Sequence, residues 1–119
     1  MAAIYQELEL EWRGETYRVT PTYRTIQRIE QKISIAATVA RIGKGEPPVS
    51  QIADIVAILL HQAGAKDVSA EEIYADMMLD DDGELFRSNS LAVMTAFMPQ
   101  RDSGNAQAPS KTAGKKSKK

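Results

Sequence analysis

Three consecutive aspartates, residues 80–82, precede Gly83 and form the densest group of candidate metal ligands in the sequence. A calcium-binding EF-hand loop requires oxygen ligands at alternate positions, Gly at the sixth position and Glu at the twelfth. Counted from Asp80, those two positions hold Leu85 and Leu91. The spacing therefore predicts an acidic turn and no metal site.

His61 is the only histidine, and the chain has no cysteine. A zinc site or a Cys/His nucleophile needs several such side chains, so neither can be assembled. The sequence also contains neither a glycine-rich phosphate-binding loop nor a nucleophile motif. We therefore expect no cofactor and no enzymatic activity, with His61 on the polar edge of a helix.

Methionine and phenylalanine are concentrated between residues 77 and 98. Methionine is flexible and polarizable, and it recurs on surfaces that accept varied helical partners. Ordinary core packing is the alternative interpretation. The candidate partner-binding residues are Met77, Met78, Phe86, Met94, Phe97 and Met98.

Charge divides the chain into an acidic body and a basic tail. Residues 1–98 carry a formal net charge of −6, and residues 99–119 carry +5. The tail ends in KTAGKKSKK and lacks apolar residues that could offset the entropy of ordering, which predicts disorder. Lysines can bind nucleic acid through phosphates, but aromatic residues for base stacking are missing and the acidic body repels phosphate. Nucleic acid is therefore not expected as a partner.

No stretch approaches the roughly 18 uninterrupted apolar residues of a membrane span, so no membrane association is expected. The N-terminus, MAAIYQELELEW, is acidic and alternating and does not resemble a signal peptide. A cytoplasmic location is the expectation.

A helix is predicted at residues 50–64, SQIADIVAILLHQAG, and it is aliphatic on most of its circumference. Such a helix must be covered from several sides, so we expect it to form the centre of the core. Ser50 is its predicted N-cap, and Gly64 is predicted to end it.

Residues 4–20 alternate between apolar and polar side chains, which predicts a β-hairpin. A turn at Arg13-Gly14 brings the apolar residues of both strands to one face, and a bulged turn using Gly14 is the alternative. The predicted cross-strand pairs are Trp12 with Glu15, Leu10 with Tyr17, and Leu8 with Val19.

Local signals predict several further helices. Thr20-Pro21 predicts a helix start, and the helix either continues to Ile42 or is interrupted at Ser34, which then caps a second helix. Gly43-Lys44-Gly45 ends it in both cases. Ser69 and Glu72 have the spacing of a capping box for a helix that runs to about Leu79.

A last helix is predicted to stop before Pro99, with its start near Leu85 or at a new cap at Ser90. The predicted fold class is α+β, mainly α. It consists of an N-terminal β-hairpin packed on a bundle of four to five short helices in residues 1–98, followed by a disordered Lys-rich tail, residues 99–119.

Within residues 8–78, short motifs follow one another in a distinctive order. They are an alternating hairpin, a helix containing Ile29-Glu30, Ser34 with Ile35, Gly45, Ser50, an aliphatic helix closed by Gly64, and an acidic helix start at Ser69. This order resembles the phage tail assembly chaperones of the gene-transfer-agent type. The Pro47-Pro48 connector and the Lys-rich end depart from that family's pattern.

The resemblance implies a non-enzymatic protein of a siphophage or prophage. It would bind the tape-measure protein and help recruit tail-tube subunits during tail morphogenesis. It would act in the host bacterial cytoplasm and be absent from the mature virion. The resemblance leaves open whether copies of the chain also associate with one another along the tape-measure protein.

Many members of this family are made in a short form and a frameshifted long form. Gly-Lys and Lys-Lys codons near residues 114–119 can be slippery, so the chain could be the shorter of two products.

Two alternative functions belong to other classes. One is a structural or adaptor component of the phage tail or head–tail junction. The other is a small nucleic-acid-binding regulator that uses the lysine tail, and the acidic body argues against it.

Overall fold

A computed structural model describes residues 4–98, in which two antiparallel strands precede five helices. This order confirms the predicted α+β, mainly α fold with an N-terminal hairpin. The predicted tail, residues 99–119, lies outside the described residues. The elements are β1 (Leu8–Trp12), β2 (Glu15–Val19), α1 (Tyr23–Glu30), α2 (Ile35–Gly43), α3 (Val49–Gln62), α4 (Ala70–Leu79) and α5 (Glu84–Ala96).

The hairpin has the predicted register, with Leu8 opposite Val19, Leu10 opposite Tyr17 and Trp12 opposite Glu15. Arg13 and Gly14 form a two-residue turn in which both residues have positive φ, at 48° and 86°. Such a turn matches the right-handed twist of paired strands, so a bulge is not needed. The apolar face of the hairpin lies on α3 and α5.

The helix predicted to begin at Thr20-Pro21 begins two residues later. Thr22 is the N-cap of α1: its hydroxyl accepts from the Thr25 N–H at 3.2 Å, and the Thr25 hydroxyl accepts from the Thr22 N–H at 3.0 Å. This reciprocal capping box satisfies two N–H groups at once, which a cap at Thr20 does not achieve.

Of the two predicted alternatives, the structure has the helix that is interrupted at Ser34. α1 ends at Glu30, and a separate helix starts at Ile35. The Ser34 side chain caps α2 by accepting from the Ala37 N–H at 3.1 Å. Ile33 lies just beyond α1 and is buried. The last helix, in contrast, is continuous across Ser90.

The aliphatic helix α3 occupies the centre of the core, as predicted. It contacts α1, α4, α5 and β2. Its buried residues are Ile52, Ala53, Ile55, Val56, Ala57, Leu59 and Leu60. His61, predicted on the polar edge of a helix, is half-buried, as are Gln51 and Asp54.

One end of α3 differs from the prediction and the other confirms it. Pro48 is the N-cap, with its carbonyl accepting from the Ile52 N–H at 3.0 Å, so Ser50 lies inside the helix and is not its cap. At the other end, the N–H groups of Gly64 and Ala65 donate to the carbonyls of His61 and Leu60. These two bonds form a Schellman motif, which requires the positive φ of 112° at Gly64.

The start and end of α4 confirm the prediction. Ser69 accepts from the Glu72 N–H at 3.1 Å, and Glu72 Oε1 accepts from the Ser69 N–H at 3.1 Å. The helix ends at Leu79.

Gly64→Ala is expected to lower the free energy of unfolding by about 1–2 kcal/mol, because an L side chain is strained at this φ although nothing lies within 4 Å of the added Cβ. Gly43→Ala is the matched control: Gly43 is helical, also has free space, and should be neutral or stabilising by up to about 1 kcal/mol. Urea unfolding of both variants measures the difference. Equal effects would contradict the Schellman assignment.

Candidate functional site

The six predicted partner-binding residues are dispersed over the surface and the core. Met77 is 2% exposed and fills the core, so it has almost no surface to offer a partner. Met78 and Met98 are about half exposed, and Phe86, Met94 and Phe97 are partly buried. Of the six, Phe97 lies in a surface groove.

This groove has a volume of about 470 Å³ and lies between α1, α2 and the residue that follows α5. Its lining side chains are aliphatic or aromatic except for the Glu30 carboxylate. The lining residues are Tyr5, Ile26, Glu30, Ile35, Ala36, Val39, Ala40 and Phe97.

α2 forms one wall of the groove because it contains more apolar residues than the core covers. Six of its nine residues are Ala, Val or Ile, yet only Ile35 and Thr38 are buried. Thr38 anchors the covered side: its hydroxyl is 2.9 Å from the Ser34 carbonyl and 3.1 Å from Gln51 Oε1. The opposite side presents the exposed Ala36 and Ala40 to the groove.

Phe97 is held in the groove by an aromatic contact. It follows the end of α5, and its ring meets the ring of Tyr5 edge-on, with centroids 6.3 Å apart and planes at 78°. Edge-to-face geometry is a favourable arrangement of two aromatic rings. The contact ties the segment before β1 to the end of α5, so the two termini of the described chain shape one surface.

An apolar stripe on α5 lies apart from its buried face. Leu91 and Met94 are three residues apart and share one side of the helix, and Met98 follows two residues after its end. Leu91 is 66% exposed. The buried residues Asn89, Val93 and Ala96 define the opposite side.

Sequence reasoning missed most of the groove. Only Phe97 was among the candidate residues, and no site role was predicted for Tyr5, Ile26 or the α2 residues. The signal was present in the α2 segment, IAATVARIG, which has almost no polar face. A helix of that composition at the surface indicates an uncovered apolar side.

His61 has a structural contact in this fold. Its Nε2–H donates to the Val68 carbonyl, which joins the end of α3 to the residue before the α4 cap. The ring is half-buried.

Two of the three aspartates, Asp80 and Asp82, cap α5. Asp80 Oδ2 accepts from the Leu85 N–H at 2.7 Å, and Asp82 Oδ1 accepts from the Glu84 N–H at 3.0 Å. Both N–H groups belong to the first turn of α5, where negative charge is stabilised by the helix dipole. Among residues 4–98, no group of three or more His, Cys, Asp or Glu side chains is arranged to hold a metal ion.

None of the helices in the described part of the chain is long and apolar enough to cross a membrane. Comparison of the chain with protein-family models, with curated proteins and with solved structures found no match.

Asp80→Ala is expected to lower the free energy of unfolding by about 1 kcal/mol, because the Leu85 N–H loses its acceptor. Asp81→Ala is the control, since Asp81 is exposed and outside this capping arrangement, and it should change stability by less than about 0.5 kcal/mol. Thermal unfolding with and without added Ca²⁺ completes the test. A calcium-dependent rise in Tm that Asp80→Ala abolishes would contradict the capping assignment.

Proposed function

We propose that the chain is a tail assembly chaperone that holds the tape-measure protein of its phage or prophage and helps recruit tail-tube subunits. The observation that carries the proposal is the apolar groove between α1, α2 and Phe97. The order of motifs behind the family resemblance adds support. The hairpin, the break at Ser34 and the helix end at Gly64 are all features of this fold.

The groove has the properties needed to accept an amphipathic helix. Helices dock into apolar grooves through residues spaced three and four apart, and the partner's apolar face replaces water. Ala36 and Ala40 are small and four residues apart on the exposed side of α2, so a partner helix can approach closely. A tape-measure protein is long, helical and apolar, and offers many such faces.

The shape of the groove favours binding that can be reversed. Its floor is formed by partly buried side chains such as Ile26, Val39 and Phe97, which already pack on the core. Shallow contact of this kind gives modest affinity per site, because affinity depends on deep anchoring residues more than on area. A chaperone that is absent from the finished particle needs such release.

The charge of the body fits a soluble carrier. Residues 1–98 have a net charge of −6, which opposes association between copies that expose apolar surface. Glu30 lies at the groove itself and favours clients with basic residues beside their apolar face.

Ala40→Glu is expected to abolish solubilisation of the tape-measure protein, because a carboxylate in the groove would be desolvated next to Glu30 when a client binds. Binding should weaken at least tenfold, or by about 1.4 kcal/mol. Ala37→Glu is the matched control: Ala37 is exposed on the same helix but does not line the groove. Co-expression with the tape-measure protein of the same genome, followed by measurement of its soluble fraction, compares the two.

Two outcomes would overturn the proposal. The chaperone role is wrong if the tape-measure protein is equally soluble without this chain. Recovery of the chain in stoichiometric amount from purified particles would favour the structural or adaptor role. If Ala37→Glu and Ala40→Glu behave alike while both remain folded, the client binds elsewhere.

A further inference from the structure

A second surface, the acidic hollow, lies at the opposite end of α5 from Phe97. It has a volume of about 340 Å³ and forms where the turn of the hairpin meets the end of α4 and the start of α5. Its lining residues are Glu11, Trp12, Arg13, Asp76, Leu79, Asp80 and Leu85.

The floor of the acidic hollow is apolar and open to solvent. Leu79 is 78% exposed, the highest value among the large apolar residues of the described chain. Trp12 and Leu85 are partly buried beside it and pack on the core. Covering this exposed leucine with another chain segment removes apolar surface from water, which lowers the free energy.

Carboxylates surround this floor in excess over cations. Three carboxylates line the hollow, Glu11, Asp76 and Asp80, and three more lie beside its lining residues in contact or in sequence, Glu72, Asp81 and Glu84. The cations are Arg13 in the lining and Arg87, which is paired with Glu84. Both guanidinium groups are engaged by carboxylates. Arg13 Nε donates to Asp76 Oδ2 at 3.1 Å, and Arg87 Nη2 donates to Glu84 Oε1 at 2.8 Å. Each hydrogen bond raises the pKa of its arginine. The net negative charge of the rim attracts a further cationic group.

We propose that the acidic hollow binds the Lys-rich segment of the same chain, residues 101–119. This segment carries six basic residues and one aspartate, which complements the rim. Lysine can lay its apolar stem on a surface while its ammonium group stays at a carboxylate. Leu79, Trp12 and Leu85 provide that surface, and Glu11 and the aspartates provide the anions.

The segment is long enough to reach the acidic hollow. The α5 helix has 13 residues and is about 20 Å long. Twelve residues separate Met98 from Lys111, and an extended chain of that length spans up to about 40 Å. Tethering gives an effective concentration in the millimolar range, so weak charge pairing is sufficient. The proposed contact does not depend on the proposed chaperone role.

The full chain contains its own reporter, because Trp12 is the only tryptophan and lines the hollow. Quenching of its fluorescence by acrylamide, which is uncharged, measures how far the ring is covered. Replacing Lys111, Lys115, Lys116, Lys118 and Lys119 by Gln should increase quenching. Raising the ionic strength of the unmodified chain to about 1 M, where screening acts beyond about 3 Å, should have the same effect.

A pair of variants on β1 locates the contact. Glu11→Gln removes a carboxylate of the hollow and should increase quenching, whereas Glu9→Gln, on the same face of the strand but paired with Arg18 at 2.9 Å, should not. Equal quenching in the five-lysine variant and the unmodified chain at low salt would overturn the proposal. A difference that grows with protein concentration would also overturn it, because the segment would then dock on a second copy.

Discussion

Seven of the fourteen residues of α3 are buried, and that aliphatic helix can be kept from water only if several elements cover it. Four elements do so: α1, α4, α5 and β2. The second apolar helix, α2, packs chiefly on α5 and buries only Ile35 and Thr38. The covering of α3 therefore leaves an apolar side of α2 at the surface, and this side forms one wall of the groove that ends at Phe97.

Three features that depend on neighbouring residues were predicted from the sequence. The hairpin register follows from the alternation of apolar residues around Arg13-Gly14, and the start of α4 follows from the spacing of Ser69 and Glu72. The end of α3 follows from Gly64, since glycine is the residue that adopts the required positive φ at no steric cost.

The misplaced helix starts involved a choice between nearby candidates. Thr20 and Thr22 both offer a hydroxyl, but only Thr22 has Thr25 three residues on to complete a capping box. The Thr25 hydroxyl also donates to Gln62 Oε1, at the far end of α3. Local sequence patterns do not predict a contact between residues so far apart in the chain. At α3, Pro48 takes the N-cap position and Ser50 falls inside the helix.

The candidate site was the least predictable part, because the open face of a helix is decided by distant packing. Methionine content alone placed Met77 on a binding surface, whereas it is a core residue. The groove instead combines Tyr5 from before the hairpin, α2 from mid-chain and Phe97 from the end of α5. For the aspartates, the spacing does not fit an EF-hand, and only the fold assigns Asp80 and Asp82 to capping α5.

In the proposed function, another polypeptide is held at the surface that the packing of α3 leaves open. Site-specific photo-crosslinking tests it most directly, with the reactive residue placed at Ala36 in the groove or at Ser88, which is exposed on α5 outside the groove. During co-expression with the tape-measure protein, we expect a crosslinked product from position 36 and none from position 88. A complex that forms and crosslinks from position 88 but not from position 36 would contradict it.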